Sequence, residues 1–161
     1  SGNDTLKGGD GNDTLNGGTE ADRMFGNNDD DVLNGDAGAD ALFGGEDNDT
    51  LSGGADNDYL AGGAGNDSMT GGTGNDTFAF ASGSGADRIT DFTAGTGVAD
   101  RIDLTLLDFA TFAAVQAVTV TSNLDGDGLS DDCTITLSAG NTIQLINVTA
   151  AQLVSDDIIV G

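Results

Sequence analysis

A large apolar residue recurs at every ninth position through the first half of the chain. Within each nine residues, six are turn-like and are mostly glycine, aspartate and other small or polar types. The three remaining residues, centred on the apolar one, predict a minimal strand whose middle side chain points inward. The series is Leu6, Leu15, Met24, Leu33, Leu42, Leu51, Leu60, Met69 and Phe78.

Aspartate and glycine keep the same period. Two residues before each apolar residue stands one of nine aspartates: Asp4, Asp13, Asp22, Asp31, Asp40, Asp49, Asp58, Asp67 and Asp76. Five residues before each aspartate from Asp13 onward is a glycine, so the unit reads G-G-x-G-x-D-x-U-x, and residues 8–16 match it throughout. The unit is similar to the nonapeptide of calcium-binding parallel β-rolls. Three coupled positions over nine periods argue against a chance match.

Two units predict one coil, with the strands stacked in two parallel sheets and the apolar side chains between them. The fold class that follows is all-β: a right-handed parallel β-roll over residues 1–87 and a β-rich C-terminal cap over residues 88–161. Each turn lies over the turn two units further along the chain. One edge then stacks the turns that end at Asp13, Asp31, Asp49 and Asp67, and the other edge stacks those that end at Asp4, Asp22, Asp40, Asp58 and Asp76. Residues 82–87 predict one further turn, displaced by two residues and ending at Asp87.

A cation between stacked turns meets carboxylates and backbone carbonyls, which are the hard oxygen ligands that calcium prefers. We expect glycines at positions 1, 2 and 4 to provide backbone angles that a Cβ would penalise. Counting adjacent turns predicts about seven or eight calcium ions in the roll. Besides the position-6 aspartates and Asp87, the candidate metal-site residues are Gly8, Gly9, Gly11, Gly17, Gly18, Gly26, Asn27, Asp29, Gly35, Asp36, Gly38, Gly44, Gly45, Asp47, Gly53, Gly54, Asp56, Gly62, Gly63, Gly65, Gly71, Gly72 and Gly74.

One turn departs from the pattern in a way that weakens the prediction. Glu20 occupies position 4, where glycine is expected, and glutamate tolerates left-handed backbone angles less well than asparagine or aspartate. Sites that touch this turn are expected to be weaker. Each coil buries only two medium side chains, and its aspartates repel one another, so we expect the array to be largely disordered without calcium and folded with it.

The charge balance fits cations as partners. The chain has 161 residues, with 28 acidic and 4 basic ones and a net charge of −24. Nucleic acid and anionic membranes repel such a chain. No apolar run is long enough to insert into a bilayer, and Cys133, as the single cysteine, excludes an intramolecular disulfide. Histidine is absent, so general-base or zinc chemistry of the H-E-x-x-H type has no basis, and we predict a non-catalytic module.

One predicted sheet carries outward aromatic side chains. Phe25 and Phe43 are one coil apart, and Arg23 and Tyr59 are exposed on the same sheet. Exposed stacked aromatics need a cover. The cover is either the C-terminal segment or a neighbouring domain, or the face is a carbohydrate-binding platform.

Beyond Phe80 the period is lost and shorter β signals begin. Strand-like segments are 88–92, 101–104, 118–121, 134–137, 142–148 and 156–160, while a short helix is expected within 108–117 and a last one after Thr149, on its capping-box spacing to Gln152. Residues 123–132 place Asp125, Asp127 and Asp131 like the oxygens of an EF-hand loop, but Thr134 stands at the twelfth position. The loop is either one more calcium site or an acidic hairpin. Cys133 is expected to be a buried small hydrophobe.

Together these motifs resemble the RTX, or hemolysin-type, calcium-dependent proteins of Gram-negative bacteria. Residues 78–80, 87–92 and 101–104 are similar to the region that follows the repeats in serralysin-type proteases. The resemblance implies calcium ligands at the position-6 aspartates and at loop carbonyls. It also implies a secreted, extracellular or cell-surface protein that leaves the cell unfolded by type I secretion, as part of a larger exoprotein with an upstream domain. Residues 157–160 are similar to the acidic-then-apolar end of such secretion signals.

Two other functions stay open at this point. The layout also resembles the repeat modules of alginate epimerases, which contact polysaccharide, although a chain of charge −24 repels a polyanion unless its four basic residues cluster. The second open function is that of a segment of a surface-layer protein or an adhesin.

Overall fold

The computed structural model describes residues 2–95, 99–107, 119–122, 124, 132–138, 141–154 and 157–160. Regular structure in these residues consists of fifteen β-strands. They are β1 (Thr5–Gly9), β2 (Thr14–Thr19), β3 (Arg23–Asn27), β4 (Val32–Ala37), β5 (Ala41–Glu46), β6 (Thr50–Ala55), β7 (Tyr59–Ala64), β8 (Ser68–Thr73), β9 (Thr77–Ala79), β10 (Ala86–Ile89), β11 (Arg101–Leu104), β12 (Thr119–Ser122), β13 (Asp132–Ser138), β14 (Asn141–Leu145) and β15 (Ile158–Val160).

The strands form two sheets that alternate along the chain. Sheet 1 has the order β1-β3-β5-β7-β9-β11-β15, and sheet 2 has the order β12-β13-β14-β10-β8-β6-β4-β2. Neighbours within the repeats are parallel and offset by two nonapeptides, as in the pairs of Leu6 with Met24 and of Leu15 with Leu33. This register confirms the predicted coil of two nonapeptides, and β1 to β10 make five such coils.

The apolar series fills the space between the sheets. From Met24 to Phe78 each of its members is fully buried, while Leu6 and Leu15 in the first coil are partly buried. The same core continues into Ile89, Ile102 and Ile143 in the second half. The middle residue of each short strand points inward, so its two neighbours point to solvent. The turns that connect the strands lie at the two edges of the sheets.

The solenoid extends beyond the repeats. Strand β10 pairs parallel to β8, and β11 pairs parallel to β9, although the nonapeptide period is lost before either strand begins. β14 and β15 then add parallel strands to β10 and β11. Within the described residues, only β12, β13 and β14 pair antiparallel. The all-β solenoid with a β-rich C-terminal end is therefore confirmed, while the division at residue 87 stays a prediction.

Most of the C-terminal strand predictions are confirmed within a few residues, but the last helix is wrong. Thr149 and Gln152 form a single turn, in which the Gln152 side-chain oxygen accepts the Thr149 N–H at 2.7 Å. Residues 150–152 are a turn and residues 153–154 have no regular structure, and the chain rejoins sheet 1 at Ile158, which pairs with Ile102. Cys133 is fully buried, as expected, and burial raises the pKa of its thiol to about 11. The helix expected within 108–117 lies outside the described residues.

Candidate metal centres

Every turn of the repeat has the same backbone shape. Residues at positions 2 and 4 adopt positive φ in each copy, including the copies in which the residue is not glycine. The non-glycine cases are Glu20 (76°), Asn27 (88°), Asp29 (72°), Asp36 (72°), Asp47 (72°) and Asp56 (78°). Asparagine and aspartate tolerate these angles, whereas Glu20 is strained. The irregular turns therefore keep the shape of the regular ones.

The position-6 aspartates tie each turn to the turn of the next coil. In each of them from Asp22 to Asp76, Oδ1 accepts the backbone N–H of the aspartate 18 residues earlier, at 2.6 to 2.9 Å. Asp87 joins one stack from 20 residues away, accepting the N–H of Asp67 at 3.0 Å. The two stacks and the displaced turn at Asp87 are therefore as predicted. These bonds use one oxygen of each carboxylate.

The second oxygen of these aspartates is buried and has no hydrogen-bond partner. Nine such Oδ2 atoms occur in the described residues, belonging to Asp13, Asp22, Asp31, Asp40, Asp49, Asp58, Asp67, Asp76 and Asp87. An unpaired buried carboxylate oxygen is very unfavourable in a protein without a cation to compensate it. The repetition of the same orphaned atom at every turn indicates a repeated cation site.

A glycine at position 1 leaves the space into which each Oδ2 points. A Cβ built on Gly8 would lie 2.6 Å from Oδ2 of Asp13 and 2.9 Å from the carbonyl oxygen of Gly26. Gly17 is similar, with Oδ2 of Asp22 at 2.6 Å and the carbonyl oxygen of Gly35 at 2.9 Å. Position 1 does not adopt positive φ, so the expected backbone reason for glycine is wrong at this position. Glycine is needed here because any side chain would fill a cradle lined by oxygen atoms.

The pKa values of the stacked carboxyl groups rise because the groups are buried. Desolvation raises the pKa of Asp49, Asp58 and Asp87 to about 7 and that of Asp76 to about 6. The backbone N–H that Oδ1 accepts lowers each pKa, and the neighbouring aspartates of the stack raise it further. A bound cation would reverse this balance, since it stabilises the ionised form.

The donor set is made of oxygen atoms. Among the described residues, no group of three or more acidic, cysteine or histidine side chains is placed to hold a metal ion by itself. A cation in a cradle would therefore be held by one or two carboxylates together with carbonyl oxygens from stacked turns. Such hard, mixed oxygen ligands fit calcium rather than zinc or copper.

Several acidic residues outside the period also accept backbone N–H groups. Asp100 follows Asp76 by 24 residues and accepts its N–H on Oδ1 at 2.9 Å, while Oδ2 accepts the N–H of Thr93 at 2.8 Å. Asp91 caps the amides of Gly71 and Gly72. Both oxygens of Asp100 and of Asp91 are thus engaged, unlike those of Asp87. The stack that contains Asp76 therefore ends on a carboxylate satisfied by protein groups alone.

A second ladder runs along position 5 of the turns. The Asn48 N–H donates to Asp30, the Asn66 N–H donates to the Asn48 side-chain oxygen, and the Ala86 N–H donates to that of Asn66, each at 2.9 to 3.0 Å. These residues precede the position-6 aspartates and were not among the predicted site residues. The signal that would have identified them is the asparagine that stands directly before aspartate in most units.

The structure describes only Leu124 and Asp132 of the loop predicted over residues 123–132. Asp125, Asp127 and Asp131 lie outside the described residues. Asp132, at the end of that loop, is fully buried, and its carboxylate accepts the N–H groups of Leu124 and Asn147, the latter at 2.8 Å. This carboxylate therefore links Leu124 to Asn147, which lies two residues beyond β14. None of the described residues forms a helix that is long and apolar enough to cross a membrane.

Comparison with known proteins agrees with this geometry. The family model of the RTX calcium-binding nonapeptide repeat matches residues 1–24, 16–51 and 43–78. No curated protein sequence matches the chain. The extracellular lipase LipA of Serratia marcescens superposes with a TM-score of 0.51 at 17% identity, over 100% of this chain and 40% of the lipase. At that identity the likeness concerns the fold alone.

Two subunits of the Azotobacter vinelandii mannuronan C5-epimerase are also similar. The match to AlgE6R3 has 28% identity and a TM-score of 0.46, and it covers 99% of this chain and 80% of the AlgE6R3 chain. The match to AlgE6R2 has 26% identity and a TM-score of 0.43, and it covers 88% of this chain and 89% of the AlgE6R2 chain. The match to the family model covers every nonapeptide that forms the stacked turns. Residues 1–78 of the chain therefore belong to the RTX calcium-binding nonapeptide repeat family.

Proposed function

We propose that this chain folds when calcium enters the cradles between its stacked turns. The observation that carries this proposal is the set of nine buried Oδ2 atoms without a partner. In the proposal, each ion is held by position-6 aspartates and by carbonyl oxygens at positions 1, 2 and 4 of adjacent turns. Calcium supplies the positive charge that these carboxylates lack, and the protein supplies a rigid cage of oxygen atoms.

The number of ions follows from the number of adjacent turns in the two stacks. Adjacent turns in the two stacks give about seven or eight sites, as the sequence predicts. Asp100 is not counted, because both of its oxygens accept N–H groups. Equilibrium dialysis followed by elemental analysis measures the number directly. Seven or eight calcium ions per chain would support the assignment, whereas one or two would refute it.

Calcium dependence links the fold to export. The cytosol holds very little free calcium, so we propose that the chain stays unfolded there and folds after type I secretion to the extracellular side. The chain spans 40% of the lipase, which leaves room for a further domain in a protein of that size. In this role the module promotes secretion and stabilises the larger exoprotein, and it has no catalytic part of its own.

A secretion assay separates export from folding. The chain is attached to the C-terminus of a reporter in a Gram-negative host that carries a type I apparatus. We expect that deletion of residues 157–161 abolishes export, since the proposed signal lies there. Asp49→Asn is expected to leave export unchanged and to impair folding of the exported module. Full export of the deleted chain would contradict the proposed signal while leaving calcium binding untouched.

A further inference from the structure

The outer face of sheet 1 presents two rows of side chains along the axis of the roll. The register between neighbouring strands places one residue of each row on every strand of this sheet from β1 to β11. Row one is Thr5, Arg23, Ala41, Tyr59, Thr77 and Arg101, and row two is Lys7, Phe25, Phe43, Ala61, Ala79 and Asp103. Ala79 is buried, and the other members are exposed or partly exposed. The described C-terminal strands extend the sheets at their edge and do not cross these rows.

This face holds three of the four basic residues of the chain. They are Lys7, Arg23 and Arg101, and in the described part of the chain none of them makes an ion pair. Instead, Lys7 Nζ lies 5.7 Å from the centroid of the Phe25 ring, and Arg23 Cζ lies 5.6 and 5.4 Å from the centroids of Phe25 and Phe43. In a chain of charge −24, Lys7 and Arg23 are thus held on aromatic rings and directed at solvent.

The rings themselves face one another. Phe25 and Phe43 stack at 5.1 Å with an angle of 10° between their planes, and Tyr59 lies 5.8 Å from Phe43. Their faces are therefore covered by each other and by the cations, and mainly their edges are directed outward. A sugar ring packs on the open face of an aromatic ring, so this geometry does not favour the carbohydrate platform that the sequence left open.

An apolar groove continues from the rings along the same face. Its volume is about 280 Å³, and its lining includes Phe43, Tyr59, Ala61, Ala79, Phe80 and Leu106. Leu106 is 72% exposed, a large fraction for a leucine. The small side chains of Ala61 and Ala79 form the floor, so a bulky apolar group from another molecule fits there.

We propose that this face docks on the same face of a second copy of the chain, about a two-fold axis parallel to the strands. Such an axis reverses the order of the strands and keeps each row opposite itself. In row two, Lys7 then meets Asp103 of the second copy, Phe25 meets Ala79, and Phe43 meets Ala61. In row one, Arg23 meets Thr77, and Tyr59 meets Ala41. Every large aromatic side chain faces a small one, and the charged ends of row two are complementary.

The size of the face sets the expected strength. The six strands from β1 to β11, about 4.8 Å apart and three to six residues long, cover roughly 450 Å² per copy, or about 900 Å² in total. That value is typical of weak, transient interfaces, and the net negative charge of both copies opposes association. We therefore expect a reversible dimer with a dissociation constant in the micromolar range, formed at moderate salt.

Sedimentation velocity of the calcium-saturated chain, from about 1 to 300 µM at 150 mM salt, tests the proposal. We expect a concentration-dependent dimer. Lys7→Glu and Asp103→Lys should each weaken it at least tenfold, because each places like charges opposite one another. The double variant should restore most of the affinity, since the exchanged pair is again complementary. Circular dichroism in calcium verifies that each variant is folded.

A matched control separates this contact from net charge. The double variant Thr14→Glu/Thr50→Glu lowers the charge by two units, as Lys7→Glu does, on exposed positions of sheet 2, and it should leave the dimer unchanged. A chain that stays monomeric at 300 µM would overturn the proposal, as would a charge exchange that fails to restore binding. A monomer whose Arg23 binds an oligouronate would also overturn it, with a polyanion as the occupant. The result does not depend on the proposed role in secretion.

Discussion

The position-1 glycines allow the cradles to be tested one at a time. Gly35 lies in the middle of the roll and does not adopt positive φ, so alanine fits its backbone without strain. Its added Cβ would lie 2.5 Å from Oδ2 of Asp40 and would also collide with the carbonyl oxygen of Gly53. Gly35→Ala therefore fills the cradle while leaving the turn conformation accessible.

The expected magnitude has two parts. An ordinary contact needs about 3.4 Å, so the neighbouring oxygens must shift by roughly 0.9 Å, and overpacking of this kind costs about 1 to 3 kcal/mol. Loss of one calcium ion removes about 1.4 kcal/mol when free calcium is tenfold above the dissociation constant. The free energy of unfolding in millimolar calcium should fall by about 2 to 4 kcal/mol.

Urea unfolding in calcium and a calcium titration by circular dichroism measure both parts. Gly9→Ala is the control, because Gly9 has a φ of 121° but a Cβ there meets no atom within 4 Å. It should lower stability through backbone strain without removing an ion. Asp40→Asn should remove the same ion as Gly35→Ala, so the double variant should lose no further calcium. Wild-type stability and calcium stoichiometry in Gly35→Ala would refute the cradle as the metal site.

Three further predictions follow from the stacked carboxylates and the turns. Asp49→Asn should bind fewer calcium ions, as measured by calorimetry. In chelator at pH 8 it should be more folded than the wild type, because burial raises the pKa of Asp49 to about 7 and the charged form is disfavoured. A variant less folded than the wild type in chelator would contradict this reasoning. The folded-state pKa values of Asp49, Asp58 and Asp87 lie above the unfolded value of 3.8. The chain in chelator should therefore gain stability as pH falls from about 7 toward 4 and lose it as pH rises. Circular dichroism of the β structure, at concentrations without light scattering, measures this change. Glu20→Gly should raise the free energy of unfolding in calcium by about 1 kcal/mol, since Glu20 has a φ of 76°, and an unchanged value would show that this strain is compensated.

The period in the sequence was sufficient to predict the stacked turns. Aspartates two units apart fall on one edge, and the apolar series falls between the sheets, because both follow from two strands per coil. Asp87 was accessible by the same reasoning, since a displaced turn keeps the glycine spacing. Asp100 was not, because it follows Asp76 by 24 residues instead of 18 and the glycine spacing of the turns is not kept before it.

Other features needed three-dimensional contacts. Glycine at position 1 has the same sequence signal as glycine at positions 2 and 4, yet its reason is the space for Oδ2 and not the backbone angle. The continuation of the parallel solenoid into β14 and β15 joins segments that are distant in the chain, which no local pattern specifies. The helix predicted after Thr149 failed because strand pairing at Ile158 determines the path of the chain.

Calcium-dependent folding is the central claim, and far-UV circular dichroism tests it most directly. The chain is first treated with chelator and then titrated with calcium, with magnesium as the control, because magnesium holds its water more tightly and demands stricter octahedral geometry. We expect a disordered spectrum in chelator and a cooperative gain of β signal near millimolar calcium, with no such gain in magnesium. A chain fully folded in chelator at neutral pH, and indifferent to calcium, would contradict the account.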